Sequence, residues 1–192
     1  MRGGVCMIYI LSGVAKAGKT LVSNEILKRH VISVFSTDYI MMMLAKGNQD
    51  LNIDTYASDS SVAKMIEPYV YGMIQTMVEN DATYLIEGVH FNTDFSRRIL
   101  DEFGNKVRIL YLGFQDVTAE CKIDELYKYR DEMNNPWIFN HPEESLEDIV
   151  KYLINESKRI HDECLSLGLT YIEVYNINMQ FDSIIQIFLN KN

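Results

Sequence analysis

Cysteine, proline and glycine are scarce in the 192 residues, at three, three and ten. The cysteines, Cys6, Cys121 and Cys164, are odd in number, widely spaced and without a C-x-x-C pair, which suits neither a disulfide framework nor a structural zinc site. So little Pro and Gly excludes a fibrous or low-complexity chain. No apolar run approaches the roughly 20 residues that a bilayer span needs. The run from Met1 to Leu11 is followed by Ser12 to Thr20, which is not a signal-cleavage region. Positive charge is also short: 18 Lys and Arg against 27 Asp and Glu leave a net charge of −9 and a pI near 4.9. Nothing global therefore favours nucleic acid or an anionic membrane surface. The expectation is a cytoplasmic protein with no nucleic-acid and no membrane partner, in which any phosphate-bearing ligand needs a local positive site.

What is present is ordinary for a folded chain, with 47% apolar and 23% charged residues, and the length fits one domain over 1–192. Five short apolar runs read as strands: Val5 to Leu11, Val31 to Phe35, Tyr84 to Ile86 with Val89, Val107 to Phe114, and Tyr171 to Tyr175. Most lack polar alternation, which predicts strands buried on both faces of a parallel sheet. Helical patterns fill the gaps over Thr20 to His30, Asp38 to Lys46, Ser60 to Asn80, Thr93 to Phe103, Asp116 to Glu132 and Pro142 to Leu167. In the last, Leu146, Ile149, Val150, Leu153, Ile154 and Ile160 make one apolar face, Pro142 suits the first turn and Gly168 the stop. Its charged face reads as solvated surface. Two irregular segments, about 47–61 and Asn134 to His141, read as covers over a site, the second within a lid of about 120–142.

Directly after the first strand comes Gly13-Val14-Ala15-Lys16-Ala17-Gly18-Lys19-Thr20, a full match to G-x-x-x-x-G-K-[ST] that leads into a helix. The glycines let successive N–H groups curl toward phosphate oxygens, and the helix N-terminus adds its positive end. Lys19 is expected on the β and γ phosphates and the Thr20 hydroxyl on Mg²⁺. The dinucleotide fingerprint G-x-G-x-x-G is absent, so a nucleoside triphosphate is the expected ligand.

Further candidates stand at the ends of the next strands, because ligands of open parallel sheets sit at the strands' carboxyl ends. Asp38, in Ser36-Thr37-Asp38, is placed to orient or deprotonate an acceptor hydroxyl, although the same triplet is also a helix N-cap. Glu87 is placed to hold Mg²⁺ or the nucleophile, with a plain salt bridge as the alternative. His90 is a weaker substrate candidate. Arg97 and Arg98 can grip an anionic acceptor, but neighbours on a helix point about 100° apart, so at most one faces the site. Lys122 and Arg130, eight apart, share a helical face with Leu126 and can present cations to the transferring phosphoryl group. Arg130 is preferred as the better phosphate clamp. Met41 to Met43 and the tyrosine-rich stretch around Pro68 read as packing, and Trp137 as a loop anchor.

Gly13 to Thr20, Ser36-Thr37-Asp38 and Leu85-Ile86-Glu87-Gly88-Val89-His90 together resemble the P-loop small-molecule kinases, and among them the 2-phosphoglycerate kinase-like proteins. The similarity runs from about Met7 to Phe95, with a looser match around Asn135-Pro136-Trp137 and the helix after Pro142. It implies an α/β three-layer fold, a five-stranded parallel sheet in the order 2-3-1-4-5, a small helical lid, ATP with Mg²⁺, and phosphoryl transfer to a small hydroxyl- or phosphate-bearing acceptor. The paired lid arginines of such kinases are missing here, and only Arg130 is a good candidate. Two other classes fit the loop: a GTP-dependent switch, and a nucleotide-binding protein without an acceptor. Against the switch, Asp101-Glu102-Phe103-Gly104 spells D-x-x-G at a helix end, and Asn105-Lys106-Val107-Arg108 lacks the base-reading Asp.

Overall fold

The computed structural model describes residues 6–132, 136–140 and 144–189, within which five strands and seven α-helices alternate. They are β1 (Ile8–Gly13), α1 (Lys19–His30), β2 (Ser33–Ser36), α2 (Thr37–Gly47), α3 (Asp59–Glu79), β3 (Tyr84–Glu87), α4 (Thr93–Phe103), β4 (Val107–Gly113), α5 (Ala119–Lys128), α6 (Leu146–Leu167), β5 (Thr170–Glu173) and α7 (Ile177–Leu189). All strand pairings are parallel, in the order β2-β3-β1-β4-β5, as the kinase resemblance implies.

The pleat of the inner strands divides the core. On β1, Ile8 and Ile10 pack toward α2, α3 and α4 with Ile66, Val70, Ile74, Phe95 and Ile99. Leu11 points the other way, toward α1, α5, α6 and α7, with Val22, Ile26, Leu126, Leu153 and Ile184. Alternation of apolar residues on both faces is what three layers demand of a central strand. β2 and β5 depart from the expectation of full burial: Ser33 and Thr170 are exposed and the rest of each strand is half-buried, because both lie at sheet edges.

Local chemistry moves several boundaries. Val31, expected to open the second strand, instead ends α1 in the left-handed region at φ 55°. The helix expected over Asp116 to Glu132 is shorter, because Thr118 caps it by accepting from the Cys121 N–H at 3.3 Å and it stops at Lys128. Arg130 belongs to a separate 3-10 turn, Arg130–Glu132, so it does not share a helical face with Lys122. α6 starts at Leu146 under a Ser145 cap, while Pro142, Asn134, Asn135 and His141 lie outside the described residues. Gly168, at φ 65°, ends α6 as expected. α3 runs through Pro68 without a break in the helix. Met43 is exposed rather than core filler.

α7 was not expected, although Ile177, Ile184, Ile185 and Phe188 form its buried face. It lies along α1, where Asp182 pairs with Arg29, and Ile177 abuts the loop that precedes α1: a Cβ added to Gly18 would lie 2.7 Å from Ile177 Cγ1.

Candidate active site

The loop after β1 turns through positive φ at Gly13 (121°), Lys16 (63°) and Gly18 (91°), and Gly18 opens α1 with no side-chain cap. The first-turn N–H groups of α1 are thus left for an anion, which is what a triphosphate requires. Lys19 is buried and donates from Nζ to the carbonyl oxygens of Gly13 at 3.0 Å and Val14 at 2.8 Å. Burial pushes its pKa down, while Glu87, Asp59 and Asp38 pull it up.

Thr20, on the first turn of α1, and Glu87, at the end of β3, meet across the loop: the Thr20 hydroxyl donates to Glu87 Oε2 at 3.4 Å. A hydroxyl and a carboxylate side by side fit Mg²⁺, which takes oxygen ligands and keeps several waters for itself.

Asp38 stands on the first turn of α2, with its side chain 65% exposed. The helix cap falls to Ser36, whose side chain accepts from the Asp38 N–H at 3.3 Å, so the Asp38 carboxylate is not consumed by capping. His90 is buried below it, sharing a hydrogen bond with Thr37 Oγ1 at 3.0 Å through Nδ1, which lies 3.7 Å from Asp38 Oδ1. Gly88 makes room for this arrangement, because a Cβ there would fall 1.8 Å from Thr37 Oγ1.

Burial pushes His90 below its ordinary value, opposed by Asp38 and Asp59 and aided by Lys19. The unfolded chain takes up a proton near pH 6.5 that the native imidazole resists. His90 therefore removes stability as pH falls from about 6.5 toward its lower native pKa, a window in which stability rises with pH. Thermal midpoints of the His90→Gln variant should fall less steeply than those of the parent between pH 6.5 and 5. Equal slopes would show that His90 does not carry this pH dependence.

Other expected residues lie elsewhere. Arg97 pairs with Asp101 one turn along α4, and Arg98 with Glu67 of α3 at 2.7 Å while lying over the Phe95 ring. Both are thus engaged by carboxylates of α3 and α4. Asp101 and Gly104 sit at the end of α4 rather than after a strand. Arg130 is exposed and lies 4.9 Å from the Phe139 ring centroid. Lys122 is buried, bonded to Glu125 at 2.6 Å and over the Phe114 ring. It lies near enough to Lys16 that Lys16, depressed first by burial, is depressed further by Lys19 and Lys122. Trp137 lies under the Lys16 ammonium at 5.2 Å and ties its short turn to the loop.

A narrow cleft opens beside Ser12 and Gly13, walled by Asp59 of α3, Asn92 and Thr93 at the start of α4, and Tyr152, Glu156, Arg159 and Glu163 of α6. The polar face of α6, expected to be solvated, thus forms a wall of the cleft. Residues 152, 156, 159 and 163 recur at four, three and four, a helical spacing that marks one face but does not say what it faces. Asp59 keeps exposed area at the mouth, yet protein crowds its carboxyl and pushes it up. His90 and Lys19 oppose that shift, and Asp38 and Glu156 add to it.

Comparison with protein-family models and with curated proteins returns no match. Among solved structures the chain is similar to a shikimate kinase from Acinetobacter baumannii in complex with shikimate, at 17% identity and TM-score 0.58, over 95% of this chain and 93% of that one. It is similar to a gluconokinase from Sinorhizobium meliloti at 8% identity and TM-score 0.55, over 96% and 94%. A shikimate kinase from Bacteroides thetaiotaomicron matches at 12% identity and TM-score 0.53, over 94% and 97%. The chain has the fold of the P-loop small-molecule kinases. Among the described residues no helix is long and apolar enough to cross a membrane.

Proposed function

We propose that this protein transfers the γ-phosphoryl group of ATP to the hydroxyl of a small acceptor. The observation that carries the reading is the meeting of Lys19, Thr20 with Glu87, and Asp38 with His90 at the carboxyl ends of β1, β3 and β2. In this reading the loop N–H groups and Lys19 bind the phosphates, and Thr20 and Glu87 hold Mg²⁺. Bound there, Mg²⁺ would offset the negative charge of the phosphates. Asp38 orients the acceptor hydroxyl and takes its proton as the oxygen–phosphorus bond forms and the bond to the β-phosphate oxygen breaks, leaving ADP. His90 positions Asp38. Arg130 and Lys16 are the cations proposed for the charge that spreads over the phosphoryl oxygens. The similar shikimate kinase and gluconokinase structures share this fold, and the motifs resemble those of 2-phosphoglycerate kinase-like proteins, but none of these acceptors is carried over.

The test is a panel of sugars, nucleosides, nucleotides and glycerate derivatives incubated with Mg²⁺ and γ-labelled ATP. One acceptor should become labelled. Release of phosphate to water alone, unchanged in Asp38→Asn, would overturn the reading.

A further inference from the structure

The cleft beside the loop is lined by an excess of negative charge. Asp59 stands at its mouth, and Glu156 and Glu163 project into its wall from α6. Among the described residues, the one guanidinium in the lining is Arg159, which donates to Glu156 at 2.8 Å and to Glu163 at 2.6 Å, one positive charge shared between two carboxylates. Glu163 also accepts from the Thr93 hydroxyl at 2.6 Å. Burial raises the Asp59 carboxyl, His90 and Lys19 oppose that, and Asp38 and Glu156 add smaller upward pushes; a cation placed beside it would favour its ionised form. The neighbouring cation, Lys19, is directed into the loop.

A second observation is independent of charge. Ser12 is 1% exposed and lines the cleft, and its Oγ has no hydrogen-bond partner among the described residues. The pleat of β1 puts it on the same side as Ile8 and Ile10, facing α3 and α4, where the cleft lies. A hydroxyl buried without a partner is costly, and a polar group of a bound molecule supplies one.

We infer that the acceptor is a hydroxyl compound carrying a protonated amine, an amino alcohol or amino sugar, whose ammonium lies among Asp59, Glu156 and Glu163 and whose polar groups reach Ser12. The inference rests on the phosphotransferase reading above. An ammonium brings three donors and no acceptor, the complement of a ring of carboxylates. A carboxylate or phosphate acceptor would meet three acids and a guanidinium already held on two sides, and a neutral polyol would leave the acids unmatched.

The experiment is titration calorimetry of the protein loaded with Mg²⁺ and a non-hydrolysable ATP analogue, using two matched sets of probes. One set is glucosamine, glucose and gluconate; the other is ethanolamine, ethylene glycol and glycolate. In each set the ammonium member should bind at least about tenfold tighter than its neutral partner, with the anion weakest. Asp59→Asn and Glu156→Gln should each lower the ratio of ammonium to neutral affinity by about tenfold, and Glu156→Gln should favour the anion most, because Arg159 then keeps only Glu163. A folding defect weakens all probes together and leaves the ratio unchanged. Equal or better binding of the neutral or anionic members, no binding in either set, or a ratio unmoved by both substitutions overturns the inference. Labelled ATP with the same probes separates the two readings. Labelling of an anion sinks the ammonium preference and leaves phosphoryl transfer standing. An ammonium probe that binds but is never labelled, while phosphate is released only to water at a rate unchanged in Asp38→Asn, leaves the preference standing and sinks phosphoryl transfer.

Discussion

Replacing Asp38 by asparagine is expected to lower phosphoryl transfer by about 10²–10⁴-fold, the usual range for a positioned general base, with ATP affinity retained. Several observations point to an effect on chemistry rather than on folding. The α2 cap is made by Ser36, so the Asp38 side chain is not needed to hold the helix end. Its carboxylate is 65% exposed, so the change to a neutral amide leaves no buried charge behind. The nucleotide loop is held by Lys19 through the carbonyls of Gly13 and Val14, contacts that the substitution does not touch. Single-turnover rates with labelled ATP, together with calorimetric ATP affinity and a thermal midpoint, check all three parts. A variant that transfers phosphate within a few-fold of the parent would remove Asp38 from the mechanism, and a lowered midpoint would assign it to structure instead.

Gly13→Ala is the second large effect, and it acts on stability. The first glycine of the loop has φ 121°, and an added Cβ would fall 1.9 Å from the Leu112 carbonyl oxygen and 2.6 Å from the Leu112 nitrogen. These are backbone atoms of β4 at the point where the two strands are paired, Gly13 opposite Leu112, with the Val14 N–H donating to that same carbonyl at 3.1 Å. Neither strand can shift without breaking the centre of the sheet. The expected loss is roughly 3–5 kcal/mol, the range reserved for backbone strain joined to overpacking. Gly72, inside α3 with nothing near its missing Cβ, is the control. There alanine should gain about 0.5–1 kcal/mol, because glycine in a helix interior is the costlier residue. Urea midpoints at unchanged slope measure both changes. A Gly13→Ala protein as stable as the parent would show that the glycine serves phosphate binding alone.

The parts of the site that were readable in the sequence are those whose position follows from local order. Lys19 and Thr20 follow β1 by one short loop, Asp38 follows β2 by two residues and Glu87 ends β3, and parallel strands send their carboxyl ends to one edge whatever their order in the sheet. The strand order itself came through resemblance, not periodicity. What was hidden depends on long-range packing. Leu153 and Val150 could be assigned to the core from spacing, but that α6 would bring Glu156 and Arg159, beside Leu153, against the loop depends on how α6 crosses α4 and β4. Asp59 had a weak local signal, a Ser-Asp pair before a helix, which any surface helix also shows. Arg97 and Arg98 had the right chemistry at the right end of the chain segment, and nearby carboxylates on their own and the neighbouring helix claimed them. α7 was overlooked between polar asparagines, although its Ile and Phe spacing is helical.

The contact between Gly18 and Ile177 has a consequence in time. A ribosome releases the loop and its lysine early, at about 5–20 residues per second, but the residue that braces the turn of the loop arrives only with α7. Central β1 likewise waits for β3 and β4 before it has neighbours on either side. A nascent chain stalled before Ile177 should therefore carry every residue of the nucleotide motif and lack the brace on Gly18, so the turn of the loop is braced only once α7 has been made, not when the motif is made.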